Sequence, residues 1–201
     1  MTITWLGHSC FLVEAQGFRI VLDPFRGVRG LPDTRAEAHL VLCSHDHFDH
    51  NYVQGVTLLP QRENPFAIRT VATCHDDAGG SLRGPNTVHV LSCDGVTLAH
   101  MGDLGHVLMP EQVEAIGRCD AILLPVGGTY TVDSAAAYQV AGQLQPQVVV
   151  PMHYRRGDVG LKEIDTVDAF LARFPTGMVH TYGASLELRP GMERQVAVMS
   201  L

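Results

Sequence analysis

Ser44-His45-Asp46-His47-Phe48-Asp49-His50-Asn51 follows directly on the apolar run HLVLC at 39–43. A short apolar run bounded by polar residues reads as a buried strand, which puts the octapeptide at the strand's C-terminal end. Polar side chains packed this densely there are costly unless something binds them, and a divalent cation answers that need. Side-chain alternation along an extended loop points His45, His47 and Asp49 one way as convergent ligands. His50 then points to a neighbouring position, where a second ion fits. A solvated polar turn, or a helix N-terminus capped by Asp49, is the plainer reading. Neither explains three imidazoles within six residues.

Further along the chain, CFLVE at 10–14, FRIVL at 18–22, AIRTVAT at 67–73, NTVHVLS at 86–92 and VTLAH at 96–100 read as strands. Turns fall at Ala15-Gln16-Gly17 and at Asp94-Gly95, the latter suited to a type I′ hairpin. DAILLPV at 120–126, QVVVPM at 147–152 and MVHTY at 178–182 continue the strand pattern, and 185–189 with 194–199 predict a terminal hairpin around Pro190-Gly191. Helices are expected at 110–118, opened by Pro110, at 133–144, opened by Asp133, and at 163–173, ended before Pro175. The Ala-rich 133–144 segment, apolar nearly all round, is expected against a sheet and beneath other structure. No repeat or linker divides the chain, so residues 1–201 read as a single domain of two sheets with helices outside.

The composition suits that reading. With 201 residues, 46% hydrophobic and 17% charged, the chain can bury a sizeable core and is neither disordered nor fibrous. A net charge of −7 argues against a protein held to nucleic acid by phosphate neutralisation. Histidine, at 11 residues against 14 Lys and Arg, points to metal chemistry. The N-terminus MTITWLGHSC has no basic-then-apolar leader, and no run approaches the roughly 18 apolar residues of a membrane helix. A cytoplasmic protein without a membrane span is expected. Cys10, Cys43, Cys74, Cys93 and Cys119 are an odd, widely spaced set, read as small buried thiols in a reducing compartment rather than a disulfide scaffold or a CxxC zinc site.

The H-x-H-x-D-H pattern of residues 45–50 resembles the hallmark of the metallo-β-lactamase fold superfamily. Its remaining ligand positions match His75 in ATCHDDAGG, Asp103 in HMGDLGH and His153 in VVVPMHY. WLGHSCFLVE with the Asp23-Pro24 pair is similar to the subgroup containing ascorbate-6-phosphate lactonase and N-acylphosphatidylethanolamine phospholipase D. The resemblance runs from about residue 3 to about 189. It implies an α+β fold, the αββα sandwich of two mixed sheets with outer helices. It also implies one ion on His45, His47 and His75, a second on Asp49, His50 and His153, and Asp103 bridging them. Asp76 or Asp77 stands as an alternative to His75.

The implied chemistry is metal-dependent hydrolysis of a small, anionic ester, lactone or phosphodiester. Two divalent ions bridged by a hydroxide supply the nucleophile, because bound water's pKa falls from about 15.7 toward about 7. Asp49 is the expected catalytic carboxylate, one oxygen on an ion and the other orienting the hydroxide. His/Asp ligands suit Zn2+ first, with Mn2+ or Fe2+ as alternatives. His8 and His106 are candidate substrate or supporting residues, and Asp23 is a candidate partner for a ligand imidazole. His39, His89, His100 and His180 default to ordinary hydrogen-bonded sheet histidines. Arg83, Arg155 and Arg156 are either anion-binding or solvated. A metal-loaded, non-catalytic binding or regulatory protein is the main competing reading. A di-iron redox protein is a third, opposed by His47, where such relatives carry Glu. Homo-oligomer formation stays open.

Overall fold

Gln16 and Gly17 take positive φ of 51° and 71°, and Asp94 and Gly95 take 54° and 73°. Two consecutive left-handed residues make a type I′ turn whose twist matches the flanking strands. Each turn therefore closes a tight antiparallel pair, Ala15 opposite Phe18 in one hairpin and Cys93 opposite Val96 in the other.

The computed structural model describes residues 1–201. Its first half contains the strands β1 (Thr2–Gly7), β2 (Cys10–Ala15), β3 (Phe18–Leu22), β4 (Ala36–Ala38), β5 (Leu40–Leu42), β6 (Val56–Leu58), β7 (Ala67–Cys74), β8 (Pro85–Cys93) and β9 (Val96–His100). Then follow α1 (Pro110–Ile116), β10 (Ala121–Pro125), α2 (Ser134–Leu144), β11 (Val148–Met152), α3 (Asp168–Leu171), β12 (Val179–Thr181), β13 (Ser185–Glu187) and β14 (Gln195–Val198). One sheet runs β13-β1-β2-β3-β5, a second runs β12-β14-β11-β10-β9-β8-β7, and β4 pairs with β6.

The two large sheets share one core, with Ile3, Phe11 and Ile20 from the first packed among Val90, Leu98, Leu123 and Val150 of the second. β10 and β11 are buried at every position, as strands are when both faces are covered. Ile116, Val140 and Phe170 of the three helices join the same core. On the other side, Val21 of the first sheet packs with Phe25, Val28, Ala38 and Val56. There the outer layer is the segment 24–34 with the β4/β6 pair, in place of helices.

Strand direction positions the site. β1 and β3 both run antiparallel to β2, and β5 is parallel to β3. Their C-terminal ends, followed by His8, Asp23 and residues 44–51, therefore lie on one edge. In the second sheet β7 and β9 are both antiparallel to β8, and β9, β10 and β11 are parallel. His75, Asp103 and His153 follow the C-terminal ends of β7, β9 and β11, again on one edge.

Several sequence expectations give way. There is no terminal hairpin, because β13 joins β1 in the first sheet while β14 joins β11 and β12 in the second. The helix expected at 163–173 shrinks to Asp168–Leu171, since Asp165 N–H is taken by Gly127 O and Asp165 O by Arg155 N–H. α2 begins as expected, Asp133 Oδ1 accepting from Ala135 and Ala136 N–H. It buries a single face, Ala137, Val140, Ala141 and Leu144, and lies outermost rather than beneath other structure. No helix is long and apolar enough to cross a membrane.

Candidate metal centre

Residues 44–51 form a turn instead of an extended loop, with His50 and Asn51 N–H both donating to His47 O. The turn breaks the simple alternation, so Asp49 parts from His45 and His47 and joins His50. Ring and carboxylate atoms of His45, His47 and His75 lie within 4.8 Å of one another, and so do those of His8, Asp49, His50 and His153. Asp103 stands between the groups. Its Oδ1 is 3.2 Å from His50 Nε2, and its Oδ2 is 3.2 Å from His75 Nε2, 3.3 Å from His153 Nε2 and 4.0 Å from His45 Nε2.

Three of the imidazoles are oriented from behind. His50 Nδ1 donates to Asp23 Oδ2 at 2.8 Å, His75 Nδ1 to Tyr130 O at 3.0 Å, and His45 Nδ1 to Ser44 Oγ at 2.9 Å. The Ser44 hydroxyl and N–H in turn donate to Asp23 at 2.7 Å and 2.6 Å. Metal-binding histidines characteristically spend one ring nitrogen on a carboxylate, carbonyl or similar partner and so free the other. Here the freed atoms converge. His45 Nε2, His50 Nε2, His153 Nε2 and Asp103 Oδ1 are buried without hydrogen-bond partners, although buried polar atoms are ordinarily paired. A divalent cation fits this donor set, being the partner that all of them lack.

The charge distribution agrees. Burial pushes His45 down to about 3, with the neighbouring His50 adding to the effect, which keeps the ring neutral as coordination requires. Burial alone would lower His50 too, but the Asp103 and Asp23 carboxylates raise it well above the ordinary histidine value. Asp23, resisting burial through His100 and His50, is held at about 2. The negative field of Asp103 and Asp23 at His50 is also one that attracts a cation.

A family model described as a β-lactamase superfamily domain matches residues 2–153. The chain belongs to the β-lactamase superfamily. A metal-dependent hydrolase from Desulforamulus reducens is 29% identical, covering 77% of this chain and 84% of its own. A solved Thermotoga maritima structure assigned to the metallo-β-lactamase superfamily is 38% identical at a TM-score of 0.80, covering 99% of this chain and 98% of that one. The isothiocyanate hydrolase from Delia radicum gut bacteria, 13% identical at TM-score 0.66 over 98% and 95% of the two chains, shares the fold. The protein is thus a metal-dependent hydrolase of the metallo-β-lactamase superfamily with an α+β sandwich fold.

For this superfamily member the remaining candidates separate cleanly. His8, read from sequence as a neighbour, lies inside the buried donor group, its Nε2 3.2 Å from Asp49 Oδ2. Asp23 stands behind His50. Asp76 accepts four backbone N–H groups, from Ala78, Gly80, Leu82 and Arg83, and Asp77 is exposed, so neither replaces His75 in the cluster. His106 does not reach the site. Its Nε2 accepts from Cys74 N–H and its Nδ1 donates to Val107 O, which leaves no nitrogen for substrate. His89 and His100 hold the carbonyls of Cys43 and Ser9, and His39 accepts from Arg19 N–H.

Sequence reasoning missed Ser44, Asn86, Gly102 and the backbone of Tyr130. Asn86 Oδ1 accepts from Asp103 N–H while its amide donates to Thr73 Oγ1 and Met101 O. Gly102 has φ 55°, and a Cβ there would meet Asn86 Oδ1 and Ser44 Cβ at 2.4 Å. The usable signal for Gly102 was its place immediately before Asp103.

A cleft of about 460 Å³ opens onto the cluster, lined by His47, Asp49, His75, Asp103 and His153 with Phe48, Arg83 and Tyr130 at its sides. The Arg83 guanidinium lies 5.7 Å over the Tyr130 ring. The only Arg–carboxylate pairs in the molecule are Arg19–Glu14 and Arg189–Glu187, so Arg83 brings an unpaired positive charge to the cleft.

Proposed function

We propose that this hydrolase cleaves a small anionic ester, lactone or phosphodiester at a dinuclear centre. His45, His47 and His75 would hold one ion, and Asp49, His50 and His153 the other, with His8 in reach of the second and Asp103 shared. The observation that carries the reading is the convergence of the two donor groups on Asp103. Zn2+, Mn2+ and Fe2+ all suit such ligands, Zn2+ best where the geometry is tetrahedral. Bound divalent ions supply a hydroxide nucleophile at neutral pH and positive charge for the substrate oxygen.

The chain's own groups do the rest. Asp49 gives one oxygen to His8, and its other oxygen makes no hydrogen bond inside the protein, so it can orient the nucleophile and accept its proton. Arg83, whose backbone N–H donates to Asp76 Oδ2 and whose guanidinium is unpaired, meets the substrate's anionic group. Phe48, 54% exposed at the cleft, covers its apolar part. The cationic site also explains how a chain of net charge −7 accepts an anion. The similarity of WLGHSCFLVE to the lactonase and phospholipase D subgroup supports ester and phosphodiester substrates.

The whole chain, 1–201, acts as one unit, since β13 and β14 complete the two sheets that carry the donors. Five free cysteines support a reducing, cytoplasmic setting, and the acidic balance supports a small-molecule substrate rather than nucleic acid. Protein loaded with Zn2+ or Mn2+ and assayed on phosphodiesters, lactones, thioesters and β-lactams should turn over one of the first two classes. Asp49→Asn should abolish that turnover. Bound metal with no turnover on any class would replace this reading with a non-catalytic binding protein.

A further inference from the structure

His8 also lines a second cavity, of about 410 Å³, that shares no lining residue with the metal cleft. Its floor is aromatic and fixed. Trp5 and Tyr154 stack with ring centroids 6.0 Å apart, and Trp5 Nε1–H donates to His8 O at 2.9 Å. Leu31 and Val159 form aliphatic walls. Gly30, with φ 77°, lets Val159 close in, since a Cβ there would meet Val159 Cγ2 at 3.0 Å.

Two polar groups at this cavity make no side-chain hydrogen bond or ion pair inside the protein. The Tyr154 hydroxyl belongs to a residue only 5% exposed and makes no hydrogen bond within the chain. Arg156 lies with its guanidinium 5.8 Å from the Trp5 ring centroid, outside both of the molecule's Arg–carboxylate pairs. Its neighbour Arg155 behaves differently, giving Nε to Ile164 O and Nη1 to Gly157 O and so serving the loop. Arg156 is the only Lys, Arg, Asp or Glu side chain that lines the cavity.

From this combination we infer that the cavity binds a small amphiphilic monoanion, an aromatic or short aliphatic body carrying a single carboxylate. The body lies on Trp5, Tyr154 and Leu31, where mostly apolar, pre-formed walls suit it. Its carboxylate meets the Arg156 fork, whose planar donors match that group. The assignment rests on Trp5, Tyr154 and Arg156, none of which belongs to the metal-donor groups.

Trp5 is the only tryptophan in the chain, so its emission reports this cavity alone. Titration of the purified protein with octanoate, below its micellar range, should change that emission saturably, and octan-1-ol should bind more weakly. Arg156→Ala, at an exposed position, should weaken octanoate roughly tenfold, as expected for loss of a hydrogen bond to a charged group, with urea unfolding and bound metal unchanged. No saturable response to octanoate, or the same octanoate affinity in Arg156→Ala, would overturn the assignment.

Discussion

The two donor groups differ in depth. His8, Asp49, His50 and His153 are all buried, His50 and His153 completely, whereas the other group, with His75 buried and the His45 side chain covered, opens to solvent at His47 alone. Depth dictates what stands behind each group. The buried group rests on Asp23, itself fully buried, which takes hydrogen bonds from His50 and from Ser44 twice. The open group is aimed by lighter contacts, Ser44 Oγ for His45 and a backbone carbonyl for His75. A buried ionic network is costly to leave half-satisfied, so the deep group is bound up with stability. Both groups border the cleft, the open one through His47 and His75 and the deep one through Asp49 and His153.

The most damaging test removes what the groups share. Asp103→Ala should lower kcat/KM by on the order of 10³-fold or more and deplete both ions, because metal and charge stabilisation supply several kcal/mol. Steady-state kinetics with metal analysis checks it. Asp23→Ala should act first on the deep group, through His50, and more weakly on the open one, through Ser44 and His45. It leaves the Ser44 hydroxyl and N–H and the His50 Nδ1–H without an acceptor, costing about 3 kcal/mol in urea unfolding and 10- to 100-fold, roughly, in affinity for one ion. His47→Ala should remove the ion of the open group while the metal-free chain keeps its stability to within about 0.5 kcal/mol, as exposed positions do. Equal destabilisation by Asp23→Ala and His47→Ala would erase the distinction. The smallest effect belongs to the cleft wall, where Arg83→Ala should raise KM for an anionic ester about tenfold and leave metal content untouched.

Legibility in sequence followed the same division. Residues 45–50 were readable because contiguous ligands leave a spacing. His75, Asp103 and His153 stand one per strand and became candidates only through resemblance, for their convergence depends on the direction of β7, β9 and β11. Side-chain alternation misassigned Asp49 because the 47–50 turn reverses the chain through backbone hydrogen bonds that spacing does not encode. Strands with strong alternation or apolar runs were visible, as were the Gly95 turn and the Asp133 cap. The β13–β14 connection was not, since a Pro-Gly turn fits a hairpin and a crossing between sheets equally well. His106, a candidate substrate or supporting residue for its place beside Asp103, has its ring committed to Cys74 and Val107. Asn86, which fixes the Asp103 backbone, carries no motif at all.

A dinuclear centre with one deep and one open position has a direct readout. Metal content per chain, measured by elemental mass spectrometry after Zn2+ loading and removal of free ion, tests it most directly. Two ions are expected in the unaltered chain, as a dinuclear centre requires, and one in His47→Ala. One ion or fewer in the unaltered chain would contradict it.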